Sequence, residues 1–344
     1  MNPLGRTGIM VSHICLGTMT FGRQTEEADA FDQLDMAWER GVNFLDTAEM
    51  YPFPSTEETF GGTEEVVGNW MKARGNRSDV VVATKIVGPG PRFDHVRGGG
   101  VKYNRRHVEE AVDASLKRLG TDYIDLYQTH WPERPANYFG KLGYRHDADA
   151  EWTPFEEVLE AIDGVVKAGK VRAFGASNET AWGVVAQLRI ADDKGLPRVS
   201  AVQNPYGLLN RAYEVGLAEV SIREDCGLLA YSPLGFGALT GKHLDGATKP
   251  SSRQALFPEF QRYFNARAEA ATRKYVDLAV ESGLDPAVMA LAFINMQPFL
   301  TANIVGARTT DQLAANLASA DLVLPPDVLT AIEAIHAEHT YPSP

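Results

Sequence analysis

Cysteine is nearly absent: the chain of 344 residues holds two, Cys15 and Cys226, and neither belongs to a C-x-x-C pair. That excludes a disulfide scaffold and a cysteine-based metal or dithiol motif, and makes a reducing, cytoplasmic setting the expectation. Positive charge is scarce as well, with 33 Lys and Arg against 45 Asp and Glu and a net charge of −12. Without a basic cluster to neutralise phosphates, nucleic acid is not an expected partner. Long apolar runs are missing too: the stretch Val80 to Val87 is short and broken by Lys85, and Met1-Asn2-Pro3-Leu4-Gly5-Arg6 lacks a basic-then-apolar signal pattern. No membrane partner is expected. No repeat, low-complexity tract or linker interrupts the chain, so a single domain spanning 1–344 is the expectation.

What is present is rhythm. Hydrophobic residues make up 44% of the chain, enough for a large core, and short apolar runs alternate with segments of helical spacing. The strand candidates are 13–17, 43–46, 80–85, 123–129, 171–176, 199–204, 227–232 and 302–306. Between them, sets such as Val108, Val112, Leu116 and Leu119, or Phe155, Val158, Leu159, Ile162, Val165 and Val166, each form one apolar helical stripe. Thr153-Pro154-Phe155-Glu156 reads as a capping box with proline at the first helical position, and Asp285-Pro286 opens another helix. Even spacing favours a closed α/β architecture, a (β/α)8 TIM barrel, over an open doubly wound sheet with two extra strands, although pattern alone leaves the latter open. An amino-terminal β-hairpin turning at Arg6-Thr7-Gly8, a loop at 131–150, a long loop at 233–264 after the seventh strand and an extra carboxyl-terminal helix at 326–338 complete the expected fold.

Chemistry gathers at the expected strand ends. The second strand runs into Leu45-Asp46-Thr47-Ala48-Glu49-Met50-Tyr51, the third ends at Lys85, and the fourth delivers Gln128-Thr129-His130-Trp131. In a barrel, all carboxyl ends of strands share one rim, so Asp46, Tyr51, Lys85 and His130 can converge. Reducing a carbonyl leaves an alkoxide that must be protonated, and a free tyrosine, with a pKa of about 10, is a poor acid at neutral pH. An ammonium 4 Å away at an effective dielectric of 20 stabilises the phenolate by about 4 kcal/mol before desolvation is subtracted. Asp46 would keep Lys85 charged, and His130 would hydrogen-bond the carbonyl oxygen. Taken singly, each has a plain structural reading: a turn cap, an ion pair, a turn aromatic.

Together, L-D-T-A-E-M-Y, T-K and Q-T-H-W resemble the catalytic motifs of the aldo-keto reductases, and the likeness runs nearly end to end, closest to the bacterial Tas-like branch. It implies reduction of aldehydes or ketones by NADPH, with Tyr51 as acid, Lys85 and Asp46 as its partners and His130 orienting the oxygen. The cytoplasmic β subunits of voltage-gated potassium channels are similar at greater distance, so the alternative is an NADP(H)-binding regulatory module with slow redox chemistry. Those subunits typically carry asparagine where this chain has His130, which favours ordinary reductase chemistry.

No Rossmann fingerprint G-x-G-x-x-G lies between a strand and a helix. The resemblance instead lays NADPH or NADP+ across the rim. It assigns Gly17, Thr18 and Met19 after the first strand, Asp46, and Ser177, Asn178 and Gln203 for the carboxamide. It adds Tyr231, Ser232, Pro233, Leu234, Gly235, Gly237, Leu239 and Lys242 for the ring and pyrophosphate. Asn178 is also a good N-cap for the helix that follows. After the eighth strand come Gly306, Arg308, Gln312 and Asn316, with Thr309 and Gln312 spaced as a capping box at a helix N-terminus suited to an anion. Arg308, Arg253 and Lys242 are cations for a 2′-phosphate in an otherwise acidic protein, favouring NADPH over NADH. Ala315 stands where the family often has glutamate near the adenine, which removes one acceptor. Met19, Trp131 and Tyr206 follow strand ends and are expected on an apolar substrate wall, together with Tyr51 and His130. The identity of the small-molecule carbonyl substrate and the oligomeric state, a homo-oligomer included, are not readable from the sequence.

Overall fold

A computed structural model describes residues 1–246, 255 and 261–344. Two short antiparallel strands, β1 (Asn2–Pro3) and β2 (Met10–Val11), form the hairpin. Eight parallel strands then close on themselves: β3 (Ile14–Gly17), β4 (Phe44–Asp46), β5 (Val81–Ile86), β6 (Ile124–Thr129), β7 (Val171–Ser177), β8 (Val199–Pro205), β9 (Gly227–Tyr231) and β10 (Leu300–Val305). Each pairs with its sequence neighbour, and β10 pairs with β3 to finish the ring. The closed barrel is the architecture expected from the spacing.

Helices flank the barrel: α1 (Glu27–Glu39), α2 (Gly62–Arg74), α3 (Arg105–Leu119), α4 (Phe155–Lys167), α5 (Ala181–Lys194), α6 (Tyr213–Glu224), α7 (Ala266–Glu281), α8 (Pro286–Asn295), α9 (Thr310–Ala318) and α10 (Pro326–Glu338). The α3 stripe of Val108, Val112, Leu116 and Leu119 is buried against the strands. Asp285 caps α8 by accepting from the Ala287 and Val288 amides, as its position before proline predicts. The turn before α4 differs from expectation. Thr153 spends both its amide and its hydroxyl on the Glu133 carboxylate, so Pro154 takes the cap position with no side-chain acceptor. Thr309 accepts from the Gln312 amide, but Gln312 Oε1 reaches the Arg308 amide instead of closing a reciprocal box.

Side-chain alternation along the strands builds the interior. Cys15, Phe44, Val81, Ala83, Leu126, Ala173, Ala201, Leu229 and Ala302 pack inside the ring, and Leu4, Ile9 and Val11 of the hairpin segment plug its amino-terminal end. The intervening Leu45, Val82, Tyr127, Phe174, Val202 and Leu228 face the helices. Continuing the inward parity past the last apolar layer reaches Asp46, Lys85, Gln128, Gln203 and Tyr231 in one step and, beyond Gly175 on β7, Ser177 in two. The carboxyl-terminal mouth is therefore polar because the strands run two residues longer than the apolar filling.

Helix α2 lies tightly on the end of α3: a Cβ on Gly68 would stand 2.6 Å from Leu119 O and 2.7 Å from Arg118 O. Gly68→Ala should lower stability by at least about 1 kcal/mol despite alanine's better helix propensity, because backbone oxygens cannot rotate away. A fall in the thermal midpoint followed by circular dichroism is the expected result.

Candidate active site

Strand parity and register bring four sequence-distant groups to the mouth. Asp46 ends β4, Lys85 is the penultimate residue of β5 and its last inward one, and His130 directly follows β6. Tyr51 comes from the turn after β4, held by its amide bonding Ala48 O at 3.0 Å and by its carbonyl accepting from the Thr63 amide at 3.3 Å. Lys85, with no exposed surface, donates to Asp46 Oδ2 at 2.8 Å and to Thr47 O at 2.7 Å. Its ammonium stands 5.1 Å from the centre of the Tyr51 ring, and the Tyr51 and His130 rings meet edge to face at 5.7 Å.

Asp46 is fully engaged, since its other oxygen accepts from Gln203 Nε2 at 2.7 Å. Burial, and second the Lys85 charge, hold the His130 imidazole well below its ordinary range, so the ring is neutral. His130 Nδ1 is buried without a partner. An orphaned acceptor is the cheaper choice over an orphaned buried N–H, which assigns the proton to Nε2 and leaves a donor on the side of the ring away from the core.

Around this centre lies a hydrogen-bonded shelf. Asn178, at φ +55°, donates to His130 O (2.9 Å) and Ser177 Oγ (3.1 Å) and accepts from Tyr231 Oη (2.6 Å), while Ser177 Oγ donates to Gln203 O (2.9 Å). Asn178 does not cap α5; Thr180 does, accepting from the Gly183 amide. Both Asn178 N–H groups are committed, and Gln203 uses its own on Asp46 and Gln128. What the two amides offer a ligand is oxygen, which suits the NH2 of a carboxamide. Thr18 is tied to Asp46 O through both amide (3.0 Å) and hydroxyl (2.9 Å), with Gly17 and half-buried Met19 on either side.

The loop after β9 is shaped by left-handed backbone at Ser232, Gly235, Phe236, Gly237 and Gly241. A Cβ on Gly237 would lie 3.1 Å from Lys242 Nζ, so this glycine seats the lysine tail. Pro233 and Leu239 are buried, Leu239 in the outer core, and Leu234 packs against that core. Beyond β10, Gly306 accepts from Asn316 Nδ2 at 3.3 Å, and Arg308 and Gln312 are exposed on the same edge. Arg253 lies outside the described residues.

The Trp131 ring centre lies 4.9 Å from that of His130, in one cluster with Met50, Phe93, Val96 and Val101. Tyr206 does not reach the mouth. Its hydroxyl donates to Glu214 Oε1 at 2.6 Å and its ring packs on Phe293 and Phe299, because the chain turns outward after β8 and the phenol finds a partner on α6.

Sequence reasoning missed the pair that fastens the Tyr51 turn. Glu49, with no exposed side chain, accepts from the Val87 amide (2.7 Å) and from Arg97 twice (2.8 and 2.7 Å). Glu49 sits in the same motif as Asp46 and Tyr51, which was signal enough; Arg97 lies in an irregular segment with no periodicity to mark it. A surface cleft of about 620 Å³ beside Lys102, Asn104, Trp152 and Glu157 involves none of these groups.

Residues 13–337 match the family model described as Aldo/keto reductase family. Protein tas of Escherichia coli is 50% identical over 338 residues, covering 98% of each chain. The uncharacterized oxidoreductase YrpG of Bacillus subtilis is 34% identical, over 96% of this chain and 94% of its own. A probable voltage-gated potassium channel subunit beta of Arabidopsis thaliana is 31% identical, over 96% and 95%.

Two outcomes follow from the buried groups. Arg97→Ala leaves Glu49 charged in the core and should cost about 3–5 kcal/mol in urea unfolding. The depressed His130 pKa gives a stability contribution that is complete above about pH 6.5 and is lost as the pH falls toward the folded value, because only the unfolded imidazole then takes a proton. In His130→Gln the unfolding midpoint should fall less steeply than the parent's between about pH 6.5 and 5, the remainder coming from His107, His243 and His336, whose pKa values burial also lowers.

Proposed function

The chain belongs to the aldo/keto reductase family of oxidoreductases, and from that premise we propose that it reduces the carbonyl group of an aldehyde or ketone with NADPH, Tyr51 giving the proton. The observation carrying this reading is the fully buried Lys85 ammonium, fixed by Asp46 and standing 5.1 Å from the Tyr51 ring. An ammonium has three donors; two go to Asp46 and Thr47, and the third remains for the phenol oxygen. Anionic Tyr51 is thereby favoured, which makes its neutral form a stronger acid at neutral pH. Neutral His130 offers its Nε2 proton to the substrate oxygen and fixes the approach of the carbonyl.

The mouth has features that suit a nicotinamide dinucleotide. Gln203 and Asn178 present oxygens to a carboxamide, the Tyr231 ring is held by its hydroxyl, and the glycine-bearing loop to Lys242 allows backbone amides near phosphate. Lys242 and Arg308 are the described cations suited to a 2′-phosphate, and Gln312 and Asn316 lie near them in sequence for the adenosine end. When bound, the reduced nicotinamide supplies the hydride. Trp131 and Met19 border the substrate space, and Trp131 helps exclude water.

Tyr51→Phe should lower kcat for a reactive aldehyde by about 100-fold or more, with the Kd for NADPH, read by fluorescence titration, shifted by less than about twofold. Undiminished turnover in Tyr51→Phe overturns the proton-donor assignment. A parent protein that oxidises one equivalent of NADPH and then stops points instead to a nucleotide-binding regulatory module.

A further inference from the structure

Going round the mouth from His130, each residue touches the next. Trp131 lies against His130 and meets Phe139 edge-on at 5.8 Å. Phe139 leads into Gly140, where a Cβ would stand 3.6 Å from Arg262 Nε. The Arg262 guanidinium lies beside the Tyr231 phenol, Tyr231 donates to Asn178, and Asn178 returns to His130 O. The contacts close a circuit that borders the imidazole.

Arg262 is the cation of that circuit, half-buried, with its guanidinium carbon 5.8 Å from the centre of the Tyr263 ring. No ion pair reaches it among the described residues; the phenols of Tyr231 and Tyr263 are the polar groups nearby. Every other buried or half-buried arginine described has a carboxylate partner, from Arg77 with Asp125 to Arg273 with Asp245. Removing a guanidinium from water is costly unless an anion answers it, and at a binding mouth one with no carboxylate among the described residues suits an anionic ligand. Its fork geometry suits a carboxylate held by two parallel bonds.

We infer that Arg262 anchors a carboxylate carried by the carbonyl substrate, so that the preferred substrates are oxo acids: aldehydes or ketones bearing an acid group at a distance from the reacting carbon. This rests on the reductase reading above. Trp131 and Phe139 would cover the carbon chain between the two ends, while Arg262 fixes the far end and His130 the near one.

The test uses para-carboxybenzaldehyde and its neutral amide, para-carbamoylbenzaldehyde, with the parent chain, Arg262→Met and Arg262→Lys. The parent should favour the acid, and the acid-to-amide ratio of kcat/KM should fall about tenfold or more in Arg262→Met and recover in part in Arg262→Lys. Calorimetric titration with benzoate and benzamide provides a readout independent of turnover: benzoate should bind the parent more tightly, and Arg262→Met should erase the difference. An unchanged ratio, an equal loss on both aldehydes, or a loss confined to NADPH affinity overturns the assignment, the last by moving Arg262 to the cofactor's phosphates. Absence of turnover with both aldehydes, alongside benzoate binding that depends on Arg262, would instead sink the reductase reading and leave the anion site standing.

Discussion

The ammonium of Lys85 stands at zero exposure on the inner wall of a barrel whose lower layers are hydrocarbon and one thiol. Left alone there it would give up its proton or drag water into the core. Asp46 answers the charge at 2.8 Å, Thr47 O takes a second N–H, and Gln203 occupies the aspartate's other oxygen. That chain of bonds joins β4, β5 and β8, so the polar layer is rigid across much of the mouth. The Tyr51 turn, the neutral imidazole and the Asn178 shelf are all arranged around a cation that cannot leave and cannot be screened by solvent.

The barrel itself was legible because alternation and helical spacing are properties of packing that every strand and helix repeats. The expected strand positions differ from the observed ones by a residue or two at their ends. The same parity that fills the interior with Phe44, Val81 and Ala83 delivers Asp46 and Lys85, whereas Tyr51 lies in the turn after β4, where counting by twos does not apply. Helix α7 begins just after the expected loop of 233–264 but was not singled out, because its apolar face is made largely of alanines such as Ala268, Ala271 and Ala279, which mark periodicity weakly.

Other details were decided by competition among partners that lie far apart in sequence. Thr153 has the right spacing for a cap but finds a carboxylate, Glu133, from another loop. Asn178 has the composition of a cap, yet its amide is drawn to His130 O and Tyr231, and its neighbour Glu179 is taken by Arg134. Tyr206 follows a strand end like the true mouth residues, but a phenol carries a donor that must be satisfied, and Glu214 does so away from the mouth. The Glu49–Arg97 pair belongs to the same class: its two halves are separated by a whole strand, and nothing local announces that they meet.

The hairpin at the amino-terminal end has a consequence for traffic. Leu4, Ile9 and Val11 stopper the floor of the barrel with side chains that exclude water, so the mouth is a blind well and not a tunnel. The hydrocarbon layers above that stopper close the same route a second time, so anything that meets the Lys85 layer comes and goes by the carboxyl-terminal face alone.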